Sequence, residues 1–109
     1  MADDQVVVNF RLTASVAQQR VRDAAVRSEN IVWGDHALER MDQRGIMRQD
    51  VLRVLRSGYC DELPELTEYG EWKCKMTQKI RGARKAGAVV IILHDGRLFL
   101  KTIEWEDEK

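Results

Sequence analysis

The chain has 109 residues, 44% of them hydrophobic and 33% charged, which suits one globular domain able to bury a core without staples. Eighteen basic residues balance eighteen acidic ones, so the formal net charge is zero and the total gives no argument for a polyanion partner. No apolar run approaches the roughly 20 residues needed to span a membrane, the acidic opening "MADDQVVVNF" does not read as a secretory signal, and two cysteines are too few for a disulfide scaffold. The expectation is a cytoplasmic protein with reduced thiols and no membrane partner.

Residues 1–30 read as an N-terminal extension that carries one amphipathic helix and belongs to the same fold as a core domain over 31–109. "QVVVNF" is either a short strand or a lead without structure. The helix is expected over 13–30, "TASVAQQRVRDAAVRSEN", with Thr13 or Ser15 as its cap and Val16, Ala17, Val21, Ala24 and Ala25 as its apolar stripe. "IVWG" reads as a short apolar connector. Asp35 then caps a helix over "HALERMDQR", and Gly45 supplies the left-handed turn that ends it. A further helix is expected over 48–57, "RQDVLRVLRS", stopped by Gly58 and started poorly, because Met47 stands where a side-chain cap is usual.

After Gly58 the hydrophobic period changes from helical to alternating. "YCDELPEL" reads as an edge strand that tolerates Pro64. In "WKCKMTQKI", Trp72, Cys74, Met76 and Ile80 share one face, while Lys73, Lys75, Thr77 and Lys79 share the other. "RGARKAG" reads as a loop and "AVVIIL" as a central strand. Asp95–Gly96 marks a hairpin leading into "LFLKTIEW". The fold class is therefore α+β: two to three helices followed by, and packed on, a small antiparallel β-sheet of three to four strands.

The zero net charge hides three blocks. Residues 60–71 carry five carboxylates and no base, residues 72–85 carry six bases and no acid, and the closing "EWEDEK" is acidic again. The basic block aligns Lys73, Lys75 and Lys79 on one strand face and continues into Arg81, Arg84 and Lys85. It reads either as an ordinary solvated face or as a surface that tracks nucleic-acid phosphates.

A second cationic feature lies in "HALERMDQRGI" (36–46). His36, Arg40 and Arg44 recur every four residues, so on a helix they drift only about 40° per step and form one side. Like charges so placed disfavour a helix by roughly 0.2–0.5 kcal/mol per pair, which calls for an anion. The chain's own carboxylates would serve, and so would a phosphate, which Arg forks match in a bidentate way. His is suited to proton transfer near neutral pH and Arg to stabilising phosphoryl charge. His36, Cys60, Cys74 and His94 contain metal-ligating atoms but none of the usual close pairs, so no metal and no cofactor are expected. Neither cysteine has an activating base near it in sequence.

From about residue 31 to 105 the chain resembles a bacterial family catalogued as domain of unknown function 4258. The features that carry the resemblance are "HALERMDQRGI", then "DVLRVLRSG", then a strand pair ending in "LFLKTIEW". That family is in turn thought to be similar to the RelE-like and barnase–EndoU–colicin RNase folds, many of whose members are toxins that cut RNA without a metal. The resemblance implies site roles for His36, Arg40 and Arg44, and for Thr102 in the last strand. Two functional expectations follow. One is a metal-independent ribonuclease of toxin type acting through 2′-hydroxyl attack. The other is a non-catalytic module that binds RNA, or an acidic protein partner such as an antitoxin, through the basic sheet face. The oligomeric state is not legible.

Overall fold

The computed structural model describes residues 11–108. Thr13 starts the first helix, α1 (Ala14–Ala25), its Oγ1 accepting the Val16 N–H at 3.1 Å. Ala17, Val21 and Ala25 form its fully buried stripe, while Val16 is exposed. The helix ends five residues before the expected stop. Its last carbonyls are taken by side chains: Asn30 donates to Ala24, and the Arg56 guanidinium to Ala25 and Val26. A short 3₁₀ turn, Ser28–Asn30, then leads into a strand. The segment "QVVVNF" lies outside the described residues.

"IVWG" is not a connector. Ile31–Trp33 forms β1, paired in parallel with the last strand in the register Ile31↔Leu98, Val32↔Phe99, Trp33↔Leu100. The next helix, α2 (Asp35–Arg44), is capped at Gly34 rather than Asp35. The reason is steric. Gly34 N donates to Leu100 O at 3.1 Å, and a Cβ at this position would lie 2.6 Å from that oxygen, so no capping side chain fits. Asp35 instead occupies the first turn, where its charge favours the helix N-terminus. Gly45 ends α2 at φ +67° as expected.

Helix α3 (Arg48–Ser57) follows, and the Asp50 carboxylate accepts the Met47 N–H at 2.9 Å, which supplies half of a capping box. Then come β2 (Glu65–Leu66), β3 (Trp72–Arg81), β4 (Arg84–Ile92) and β5 (Leu98–Trp105). The fold is α+β, but the sheet has five strands rather than three to four and is mixed rather than antiparallel, in the order β1-β5-β4-β3-β2. It gains β1, and β4 begins at Arg84, so that most of "RGARKAG" is strand and the turn shrinks to Gly82–Ala83, with Gly82 at φ +60°. The β4–β5 hairpin forms around Asp95–Gly96 as read. Among the described residues no helix is long and apolar enough to cross a membrane.

The helices cover one face of the sheet, where Cys74, Met76, Ala88, Val90, Leu98, Leu100 and Ile103 join the helical stripes in one core. The opposite face carries Lys73, Lys75, Val89, Ile91 and Phe99, all partly exposed. A bulge interrupts the β4–β5 ladder: Val90 pairs with Leu100 and Val89 with Thr102, which leaves Lys101 as an extra residue.

Candidate functional site

The small rotation between successive members of the α2 stripe has a large effect. Ala37 and Met41 mark the buried side of the helix. Each four-residue step turns about 40° further toward it, so His36 is exposed, Arg40 partly buried, and the Arg44 side chain only 22% exposed. Arg44 therefore leaves the stripe. Its Nε is buried, with no hydrogen-bond partner among the described residues, and lies 3.5 Å from a Glu108 oxygen. Its carbonyl accepts the Trp105 indole N–H at 3.2 Å.

His36 and Arg40 remain together. Arg40 Nε donates to His36 Nε2 at 3.3 Å and its Nη1 to Gln43 Oε1 at 3.1 Å. Among the described residues no carboxylate pairs with either side chain. The bond between them requires an unprotonated Nε2, with the ring proton on Nδ1. An exposed imidazole nitrogen whose lone pair is held only by the neighbouring guanidinium therefore stands ready to take a proton once that guanidinium turns to an anionic oxygen beside it.

The basic block is largely neutralised from within. Lys73 pairs with Glu65 at 3.2 Å and Lys75 with Glu106 at 2.9 Å. Arg81 donates to Asp50 at 2.9 Å and to the carbonyl of Gly45, which ties the end of β3 to the end of α2. Arg84 binds Asp107 at 3.0 Å and Glu108 at 3.1 Å. Arg81 and Arg84 also fold over the indole of Trp105, at 5.9 and 4.2 Å from its centroid. Arg84 holds the Asp107 carboxyl below its ordinary range. Lys79 and Lys85 differ from these four: both are exposed, they are register partners, and neither pairs with a described carboxylate. Thr102 lies opposite Val89 on the face away from the helices, partly exposed.

Cys60 and Cys74 are both free and buried, and their thiols are in contact. Burial, reinforced by the neighbouring Cys60, pushes Cys74 up to about 12, and burial raises Cys60 as well. His94 is elsewhere, its Nε2 donating to Tyr69 O at 3.0 Å. Among the described residues no three His, Cys, Asp or Glu side chains converge as a metal set.

Two contributors escape the sequence reading. Arg48 stacks over Trp33 at 4.6 Å, beside the start of α2. The turn Glu106–Glu108 supplies the carboxylates that hold Lys75, Arg84 and Arg44. Its acidity is visible in "EWEDEK", but its destination depends on where β5 ends.

A family model described as a domain of unknown function (DUF4258) matches residues 33–105. No curated protein and no solved structure matches the chain.

Proposed function

The chain belongs to the DUF4258 family, and we propose that it acts on RNA as a metal-independent ribonuclease of toxin type, with His36 and Arg40 at its centre. The observation that carries this reading is the exposed His36–Arg40 pair, hydrogen-bonded and without a carboxylate partner among the described residues. The resemblance of its motif, through the family, to RelE-like and barnase–EndoU–colicin RNases supports it.

In the proposed reaction the RNA 2′-hydroxyl oxygen attacks the adjacent phosphorus and the 5′-oxygen leaves, giving a 2′,3′-cyclic phosphate and a 5′-hydroxyl. Arg40 turns from His36 to a non-bridging phosphate oxygen and stabilises its charge in the transition state. That frees His36 Nε2 to take the 2′-hydroxyl proton, which returns to the leaving oxygen from the imidazolium or through water. Arg44 and Arg81 support the helix end instead of touching the phosphate. Incubating pure protein with RNA in a chelator tests the reading. Cleavage that disappears in His36→Ala is expected. No cleavage by the wild type, or undiminished cleavage by His36→Ala, overturns it.

A second reading, RNA binding without cleavage, draws on Lys79 and Lys85. Like charges directly opposite one another disfavour a strand pair and call for an anion between them. It predicts salt-sensitive RNA binding that survives His36→Ala and falls in a Lys79→Ala/Lys85→Ala variant.

A further inference from the structure

The edge of the sheet formed by β2 combines three properties. Leu63, Leu66 and Tyr69 are 70%, 60% and 75% exposed within seven residues. β2 is the terminal strand, paired with β3 on one side and with no strand on the other among the described residues. Between 61 and 69 the chain carries Asp61, Glu62, Glu65 and Glu68 and no base, and only Glu65 has a cationic partner among the described residues. Single exposed apolar side chains are ordinary, but Leu66 on an open strand edge, flanked by Leu63 just before the strand and Tyr69 in the turn after it, makes a place where another strand can add.

Two clefts adjoin this edge. One, of about 320 Å³, lies between Leu66, Tyr69 and Ile91. The other, of about 190 Å³, lies between Leu63, Cys74 and Val89. Both include Glu65 and Lys73 in their walls. An extended chain beside β2 sends alternate side chains to opposite faces, and those that reach the clefts meet Leu63, Leu66, Tyr69, Val89 and Ile91 together with the carboxylates of Glu62, Glu65 and Glu68 that also line them. The charge selects among occupants. RNA is repelled, and so is a second copy of the same acidic edge, whereas lysine and arginine are attracted.

We propose that the β2 edge is a docking strip for an extended segment of another protein in which lysine or arginine alternates with aliphatic residues, added alongside β2 as a further strand. The main chain of that segment supplies the pairing, its aliphatic side chains fill the two clefts, and its cations lie over Asp61, Glu62 and Glu68.

Fluorescence anisotropy of a labelled octapeptide alternating lysine and valine, titrated with the full chain, tests this, with a glutamate–valine octapeptide as control. Binding of the first peptide only is expected, weakening roughly tenfold when salt is raised from about 50 to about 300 mM. E62K/E68K is expected to abolish binding and Leu66→Ala to weaken it several-fold, with circular dichroism confirming that both variants are folded. Failure of the lysine peptide to bind, or binding indifferent to E62K/E68K, overturns the proposal. Binding unaffected by Leu66→Ala also overturns it, since that is attraction by charge alone. Sedimentation showing a dimer that Leu66→Ala dissociates would make a second copy the occupant and overturn it too.

Discussion

Lys75 and Glu106 meet at 2.9 Å across the face of Gly87, whose missing side chain leaves room for the pair. Burial pulls the Lys75 ammonium down, but the hydrogen bond and charge of Glu106, with Glu62 and Glu104 behind, outweigh it, and the group ends above its ordinary value. A Cβ at position 87 would fall against the Glu106 carboxylate and within 2.7 Å of Lys75 Cε. Both are ends of flexible side chains, so Gly87→Ala is expected to part the pair and cost under about 1 kcal/mol. Adding Glu106→Gln to that variant should change little more. Urea denaturation of the two single variants and the double variant measures this, and full additivity would mean that the pair survives the alanine.

Gly58 presents the opposite case. Its backbone, at φ −78°, suits any residue, yet a Cβ there would fall against Val54 O and within 2.7 Å of Thr77 O. These are backbone atoms of α3 and β3 and cannot swing aside. Gly58→Ala is expected to destabilise by about 1–3 kcal/mol through overpacking, lowering Tm by roughly 4–8 °C per kcal/mol. A melting temperature equal to wild type would show that α3 and β3 can separate without loss.

His36 is exposed and Arg40 bonds only within its own helix among the described residues. His36→Ala and Arg40→Gln should therefore each change stability by no more than about 0.5 kcal/mol. Thermal melts check this, and a larger loss in either would mean that an effect on RNA could come from unfolding.

The Asp107 carboxyl is held below its ordinary value of 3.8 by its hydrogen bond to Arg84. A carboxylate depressed in the folded state contributes its stability above its unfolded value and loses it as pH falls through the folded one. Asp107 should thus keep its grip on Arg84 as pH falls to 3.8 and release it only below that. Carboxyl-carbon NMR titration reads this directly, and Arg84→Gln should return Asp107 to the ordinary value. An unmoved titration would remove Arg84 as the cause.

Cys74, pushed up to about 12 by burial and by the adjacent Cys60, is expected to be thiolate in only about one molecule in ten thousand at pH 8. A thiol reagent should react with the native protein far more slowly than with the unfolded chain. Equal rates in native buffer and in denaturant would show that the thiols open to solvent on their own.

The parts legible in the sequence are those with a period of their own. α2 and α3 show apolar residues at helical spacing with a glycine after each, and β3 alternates plainly from Trp72 to Met76. β1 has three residues, too few for any period, and pairs with a strand near the other end of the chain, so only the folded sheet reveals it. Gly34 is a cap because of Leu100 O, which no local pattern could signal. The α2 stripe itself is legible, but the turn of about 40° per step that buries Arg44 and leaves His36 in water matters only once the core side is known. The basic block is legible as charge, while its pairing with Glu65, Asp50 and the Glu106–Glu108 turn depends on which strand ends come together.

The bulge at Lys101 has a consequence for how β5 tolerates change. Leu98 and Leu100 face the core before it, Ile103 and Trp105 after it, so the strand reads as two stretches out of phase by one. With Lys101 removed, "LFLTIEW" alternates without a break and every remaining side chain keeps its side. Lys101 is thus an insertion whose frameshift the sheet has already absorbed: the strand can lose it and regain a regular pleat, whereas losing any neighbouring residue between Leu98 and Leu100 would turn part of the hydrophobic set outward.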